Sequence, residues 1–213
     1  GVDGMGVLCR RLTAAGLGHV KVSAGENLSY PEEKITVGTA EELSQVTFPS
    51  LCAALIENAA PDWVVTAGLP DETFTRTESV PMTKSEVRAV CLSKLRLTEE
   101  AICRDVGAGS GSVAIEMARL APRGAVYAIE RKENALELLK ENLRKFGLEN
   151  LTVVSGSAPD ACRNLPAPTH VFLGGSGGNM KEILERVLEK NPNARIVATA
   201  VTLESIGELT RCL

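Results

Sequence analysis

From residue 81 onward, the sequence alternates short apolar segments with segments of helical periodicity. The segments predicted as strands are Ile102–Val106, Ala125–Glu130, Leu151–Ser155, His170–Leu173 and 195–201. The predicted helices cover 84–95, Ser112–Leu120, Glu133–Phe146 and Met180–Lys190, with a less regular helical segment between 157 and 165. Apolar strands that are separated by helices are typical of a parallel sheet with helices on both faces. The sequence therefore predicts an α/β fold with a doubly wound, mostly parallel sheet.

Residues 1–58 have a different pattern, which predicts a smaller α/β unit. Helical spacing covers 3–15, apolar strand candidates lie at 20–22 and 51–57, and residues 23–31 are rich in turn formers. Thr39 and Glu42 have the spacing of a capping box and predict the start of a short helix. Residues 59–79 contain prolines, a glycine and several threonines and are interpreted as a linker. The predicted domains are thus 1–58 and 80–213, joined by 59–79.

Composition excludes several classes of function. Apolar residues make up 44% of the 213 residues, which is enough for a buried core. The formal net charge of −4 and the 3% of aromatic residues argue against nucleic acid as a partner. No apolar run approaches the roughly 18 residues of a membrane span. The six cysteines form no CxxC pair, so we expect no metal site, and reduced thiols in a cytoplasmic protein.

The most informative motif is the glycine-rich segment Asp105-Val106-Gly107-Ala108-Gly109-Ser110-Gly111-Ser112, which joins a predicted strand to a helix. Its glycines allow a tight turn and close approach of a ligand, and the following helix offers free amide groups. Three interpretations stay open: a turn without ligand, a dinucleotide site and a methyltransferase site. A dinucleotide fingerprint needs glycine at position 112, where serine stands. The pattern D-x-G-x-G-x-G resembles motif I of S-adenosylmethionine-dependent methyltransferases.

Three further segments follow predicted strands. Glu130 ends the second strand of the series, where an acid accepts hydrogen bonds from ribose hydroxyls in dinucleotide-binding proteins and in methyltransferases. An ordinary solvated glutamate is the alternative, and the position at a strand end favours the ribose role. The Gly156-to-Pro159 turn follows the third strand, and a run of glycines with one serine follows the fourth. Such a run favours an anion nest for a substrate rich in carboxylates, with a flexible loop as the alternative. No Asn/Asp-Pro-Pro-aromatic motif follows that strand, which disfavours methylation of RNA bases.

The order of several motifs is similar to that of one family. These are Val80-Pro81-Met82-Thr83-Lys84, the glycine-rich segment, Tyr127-Ala128-Ile129-Glu130-Arg131, the glycine run and Ala200-Val201-Thr202-Leu203-Glu204-Ser205. Together they resemble the decarboxylating precorrin methyltransferases of cobalamin biosynthesis over residues 77–213. The resemblance implies a class I S-adenosylmethionine-dependent methyltransferase fold. Such folds usually end with two more strands, so we expect a C-terminally truncated sheet of five strands.

The first part of the chain resembles a second enzyme of the same pathway. Gly25-Glu26-Asn27-Leu28-Ser29-Tyr30-Pro31 and Gly38-Thr39-Ala40-Glu41-Glu42-Leu43 are similar to the C-terminal half of the partner tetrapyrrole methylase. The two enzymes are fused in this order in bifunctional precorrin-6Y C5,15-methyltransferases. The resemblance thus implies a partial tetrapyrrole methylase subdomain over residues 1–58.

The resemblance also implies an activity and a set of site residues. The activity is methylation at ring carbon 15 of a precorrin with loss of carbon dioxide from the ring C acetate, using S-adenosyl-L-methionine. The residues expected to contact the cofactor are Thr83, Gly107, Ala108, Gly109, Ser110, Gly111, Glu130 and Ala158. Apart from the resemblance, we expect a second set of residues to bind substrate carboxylates, namely Lys84, Gly174, Gly175, Ser176, Gly177 and Gly178. For Lys84, an ordinary solvated lysine at a helix start is the alternative. A homotetramer is implied as well, and no general acid or base is identified.

Two alternatives remain open at this point. One is an S-adenosylmethionine-dependent methyltransferase of another small molecule or of tRNA. The other is a catalytically inactive fragment that binds only the cofactor. An NAD-dependent dehydrogenase is disfavoured by Ser112 and by Asp105 within the motif.

Overall fold

The computed structural model of the protein describes residues 4–61 and 66–212. These residues fall into two compact units. Of the described residues, the first comprises 4–61 and Arg144–Gly147, and the second comprises 66–143 and 148–212. The predicted boundaries at 58 and 80 stay a prediction.

The first unit is a three-stranded antiparallel sheet covered on one face by helices. Its elements are α1 (Gly4–Leu12), an irregular helical segment (Thr13–Leu17), β1 (Lys21–Glu26), β2 (Lys34–Thr39), α2 (Ala40–Leu43) and β3 (Cys52–Glu57). The strand order is β2-β1-β3. Val22 and Ala24 of the central strand are buried in a core with Met5 and Cys9 of α1.

Local sequence predicted this unit only in part. The predicted capping box is confirmed: the Glu42 amide donates to Thr39 Oγ1 at 3.2 Å, and the Thr39 amide donates to Glu42 Oε2 at 2.8 Å. The predicted turn over 23–31 is wrong at its start, because residues 23–26 belong to β1. This strand pairs with β2 on one side and β3 on the other, and that tertiary pairing overrides the local turn preference.

The second unit contains the alternating series of strands and helices. Its regular elements are α3 (Ser85–Leu95), β4 (Ile102–Val106), α4 (Ser112–Leu120), β5 (Ala125–Glu130), α5 (Glu133–Phe146), β6 (Leu151–Ser155), β7 (His170–Leu173), α6 (Met180–Lys190), β8 (Arg195–Ala198) and α7 (Leu203–Cys212). Short 3₁₀ turns lie at Asp71–Thr73 and Asp160–Cys162. The five strands are parallel, in the order β6-β5-β4-β7-β8. This confirms the predicted α/β architecture, although the last strand ends at Ala198 rather than at 201.

The carboxyl ends of the central strands lie next to each other at the same end of the sheet. β4 is the central strand, and in its register Val106 pairs with Ile129 of β5 and with Leu173 of β7. All three side chains are buried. The loops that follow these strands therefore emerge side by side, and this is where ligands bind in open α/β sheets.

Residues 68–84 pack onto this sheet domain through one buried arginine. Arg88 of α3 is fully buried, and its guanidinium bonds Glu116 of α4 and Asp71 at 2.8 Å each. It also donates to the carbonyl oxygens of Leu69 and Thr83 and lies 4.8 Å from the ring centroid of Phe74. Buried charges require such complete pairing. The pairing fixes the main chain that leads into the candidate site.

Two features of the described residues bear on the expectations from composition. In the ranges 4–61 and 66–212, no helix combines the length and apolar character that a membrane span requires. All six cysteines are free thiols, and Cys9, Cys91, Cys103 and Cys162 are buried.

Candidate functional site

A cavity of about 540 Å³ opens at the carboxyl ends of the central strands of the second unit. Its walls are formed by segments 79–84, 106–110, 129–132, 156–158 and 174–177, together with Val87, Ser112, Ala135, Asn179, Thr199 and Val201. The loops after β4, β5, β6 and β7 all contribute. Segments that lie far apart in the sequence thus meet at the topological position expected for a ligand.

The floor of the cavity is the glycine-rich loop after β4. The amides of Gly107 and Ala108 both donate to the Ile129 carbonyl at 3.0 Å, which ties the loop to β5. Gly107 has φ +75°, and a Cβ there would stand 2.9 Å from the amide nitrogen and the carbonyl oxygen of Gly175. Glycine is therefore required at position 107, where the loops after β4 and β7 nearly touch.

Glu130 organises the same loop from the end of β5. Its Oε2 accepts from the Gly109 amide at 2.9 Å, and its Oε1 accepts from the amides of Arg131 and Lys132 at 2.7 and 2.9 Å. The residue lines the cavity and is only 8% exposed. A carboxylate oxygen has room for more than one donor. The side chain can thus hold the loop and still accept a hydroxyl of a ligand.

The third glycine of the motif has a packing role. Gly111 does not line the cavity, and it precedes α4 with φ +80°. A Cβ there would stand 2.9 Å from Cγ of Leu139 in α5. Asn142 of the same helix donates to the Ser110 carbonyl at 3.0 Å. Both contacts pack the loop against α5. Glycine at position 111 is therefore explained by packing, without a ligand.

Asp105 begins the motif and is buried beneath it. Neither of its carboxyl oxygens makes a hydrogen bond within the described residues. Burial raises the pKa of Asp105 to about 7; the nearby Ala114 amide opposes this shift, and the Glu130 carboxylate adds to it. Asp105 lies outside the cavity lining. A fraction of the Asp105 side chains is thus protonated near neutral pH.

Thr83 and Lys84 form part of the wall opposite the loop. The Thr83 carbonyl is held by Arg88, and Lys84 Nζ lies 3.3 Å from Asp71 Oδ2. Burial raises the pKa of the Asp71 carboxyl, but bonding to Arg88 and Lys84 outweighs this and lowers it overall. Lys84 was predicted to bind substrate, and its ammonium group already has a partner in the protein.

The glycine run after β7 is bound to helix α7. The Ser176 hydroxyl donates to Glu208 Oε2, and the Met180 amide at the start of α6 donates to Glu208 Oε1, both at 2.8 Å. The amides of Gly174 and Gly175 donate to the Val106 carbonyl at 2.9 and 3.2 Å. Much of the donor capacity predicted for an anion nest is therefore used within the protein.

The structure brings most of the predicted site residues together. The predicted residues that line the cavity are Thr83, Lys84, Gly107, Ala108, Gly109, Ser110, Glu130, Ala158, Gly174, Gly175, Ser176 and Gly177. Gly111 and Gly178 do not line it. Four residues that line the cavity were not predicted as site residues: Arg131, Lys132, Asn179 and Val201. Arg131 could have been found, because it directly follows Glu130 at a strand end.

Comparison with known proteins identifies the family. A family model described as a precorrin methyltransferase domain matches residues 72–213. The chain belongs to the precorrin methyltransferase family. The match begins at residue 72, so the resemblance of residues 1–58 to a tetrapyrrole methylase stays a prediction.

Curated and solved members of this family are similar to the chain over most of their own length. A probable cobalt-precorrin-6B C(15)-methyltransferase (decarboxylating) from Pyrobaculum calidifontis is 46% identical over 150 residues, covering 70% of this chain and 77% of the relative. The crystal structure of precorrin-6y C5,15-methyltransferase from Geobacter metallireducens matches with TM-score 0.65 and 41% identity, covering 68% of this chain and 78% of that chain. The C-terminal domain of the Rhodobacter capsulatus precorrin-6Y enzyme matches with TM-score 0.62 and 36% identity, covering 68% and 77%. These structures confirm the predicted class I methyltransferase fold.

Proposed function

We propose that this member of the precorrin methyltransferase family methylates ring carbon 15 of a precorrin and removes the ring C acetate as carbon dioxide. The proposal rests on one observation: the glycine-rich loop and Glu130, which accepts a hydrogen bond from the Gly109 amide, line the same cavity. The names of the similar proteins support this choice of substrate and reaction. No observation on the site favours the tRNA alternative.

The cavity residues fit S-adenosyl-L-methionine as the cofactor. Gly107 and Gly109 line the cavity without side chains, so a ligand can approach the main chain of this loop closely. Glu130 offers carboxylate oxygens at the position where ribose hydroxyls are bound in nucleotide folds. Ala158, only 7% exposed, supplies an apolar surface after β6 for the adenine ring. The cofactor would supply an activated methyl group on a sulfonium.

The protein's own contribution is orientation of the reactants. The loop after β4 fixes one side of the cavity, and segment 80–84, held by Arg88, fixes the other. Positioning two reactants in this way replaces a bimolecular encounter by a nearly unimolecular step. The nucleophile is a ring carbon made electron-rich by conjugated pyrrole nitrogens. The carbanion equivalent left by decarboxylation is delocalised over the macrocycle, so no general base is assigned. The homotetramer implied by the resemblance is kept as part of the proposal.

Mass spectrometry of the product tests the reaction. The chain is incubated with S-adenosylmethionine and the precorrin substrate, with the Glu130→Ala variant as a matched reaction. We expect the product to gain one methyl group and lose carbon dioxide, and the variant to be slower. Methylation without loss of carbon dioxide would contradict the decarboxylating assignment, and no methylation would contradict the whole proposal.

A further inference from the structure

The carboxylates of a precorrin need cationic partners, and the glycine run is poorly suited to supply them. Glu208 already accepts from Ser176 and from the first amide of α6. A substrate carboxylate bound at the same donors would lie beside the Glu208 carboxylate. Like charges at such a distance repel each other. Carboxylate binding at this side of the cavity therefore requires a cation outside the glycine run.

Arg131 is a cation that lines the cavity and lies outside the glycine run. It follows β5, and its guanidinium packs against Gly177 in the loop after β7. A Cβ on Gly177 would stand 3.7 Å from Arg131 Nη2 and 3.8 Å from its Cζ. Because β4 lies between β5 and β7, the Arg131 side chain extends across the glycine-rich loop. Gly177, with φ +60°, presents a bare main-chain surface on which the planar guanidinium rests.

The donors of this guanidinium are available to a ligand. Arg131 is exposed and lines the cavity, and its guanidinium has no ion pair or hydrogen bond within the described residues. The nearby Lys84 contrasts with it, since its ammonium pairs with Asp71 at 3.3 Å. The acidic Glu130 next to Arg131 is bonded to three main-chain amides instead. An arginine fork binds a carboxylate through two parallel hydrogen bonds.

We propose that Arg131 binds a carboxylate of the tetrapyrrole substrate and so fixes which edge of the macrocycle faces the glycine-rich loop. This inference rests on the proposed function, because it takes the substrate to be a polycarboxylate tetrapyrrole. Arg131 is a specificity residue and takes no part in moving a proton. Glu208 bonds the loop on whose Gly177 the guanidinium rests.

Binding of uroporphyrin tests the inference without turnover. This tetrapyrrole carries acetate and propionate side chains, and its methyl ester lacks their charge. Both are titrated by fluorescence into the full chain saturated with S-adenosylhomocysteine. Four proteins are compared: the parent chain, Arg131→Gln, Arg131→Lys and the control Arg186→Gln. Arg186 has the same charge and lies on α6, 60% exposed and paired with Glu189 outside the cavity.

We expect Arg131→Gln to weaken uroporphyrin binding about tenfold or more, as for loss of charge-assisted hydrogen bonds. Arg131→Lys, which keeps the charge but loses the fork, should fall between. Arg186→Gln should bind as the parent does, and all four proteins should bind S-adenosylhomocysteine equally. The methyl ester should bind weakly to all of them.

Other outcomes separate the two proposals. Equal uroporphyrin affinity of the parent and Arg131→Gln would overturn the role of Arg131 and leave the proposed function intact. If the parent binds S-adenosylhomocysteine but no uroporphyrin, the substrate class fails, and the role of Arg131 fails with it. Equal weakening by Arg131→Gln and Arg186→Gln would also overturn the inference, because it would show a general effect of net charge.

Discussion

Asp105 gives the protein a pH dependence that a single substitution should remove. The pKa of its carboxyl is raised from 3.8 to about 7, chiefly by burial. An acid with a raised pKa in the folded state holds its proton more tightly when folded than when unfolded. Between about pH 4 and pH 7 the native state therefore binds more protons, and stability falls as pH rises.

The magnitude follows from the size of the shift. About three pKa units correspond to about 4 kcal/mol of differential stability at 1.36 kcal/mol per unit. This stability is fully present below the unfolded pKa and is lost as pH rises through about 7. Asp105→Asn keeps the shape and cannot ionise. The free energy of unfolding of the variant should therefore show no pH dependence from residue 105.

Urea unfolding of the parent and Asp105→Asn at about pH 5 and about pH 8 measures the effect. The first unit has the same sequence in both proteins, so the difference between their pH profiles isolates Asp105. We expect Asn to change from neutral or destabilising at the acidic pH to stabilising at the basic pH. Parallel profiles for the two proteins would refute the reasoning, as would a carboxyl ¹³C titration of Asp105 with an ordinary midpoint.

Three other substitutions test the geometry of the site. Glu130→Gln should weaken S-adenosylhomocysteine binding about tenfold or more, measured by calorimetry, because charge-assisted hydrogen bonds are lost. The control is Glu137→Gln at an exposed position of α5. An unchanged affinity in a folded variant would exclude Glu130 as the ribose acceptor. Gly107→Ala should abolish measurable binding, since its Cβ would meet the Gly175 main chain at 2.9 Å and displace the glycine-rich loop. Retained affinity would count against the role of this loop in binding. Arg88→Met should lower the free energy of unfolding by roughly 3–5 kcal/mol, because Glu116 and Asp71 lose their buried partner. A loss below about 1 kcal/mol in urea would contradict the role given to Arg88.

The sequence predicted the sheet domain well because its local signals agree with its tertiary structure. Strands β4, β5 and β7 are mostly buried, and glycine or polar residues follow where the strands end. The β1 and β2 strands were harder to predict. β2 carries the exposed Ile35 and Val37, and residues 23–26 form a strand only because they pair on both sides.

The candidate site was predicted where main-chain conformation demands a particular residue, as at Gly107. The missed features depend on contacts between distant parts of the chain. The contact of Glu208 with Ser176 joins α7 to a loop 32 residues earlier, and no local pattern indicates it. The position of Arg131 directly after Glu130 indicates that it lies near the site, but its contact with Gly177 is visible only in the structure. The packing role of Gly111 likewise depends on Leu139 in the next helix.

Calorimetric titration of the chain with S-adenosylhomocysteine, with NAD as the control ligand, tests the central claim most directly. The cavity residues predict micromolar binding of S-adenosylhomocysteine and no binding of NAD. Binding of NAD alone, or of neither ligand by the folded chain, would contradict the assignment of this cavity as a methyltransferase cofactor site.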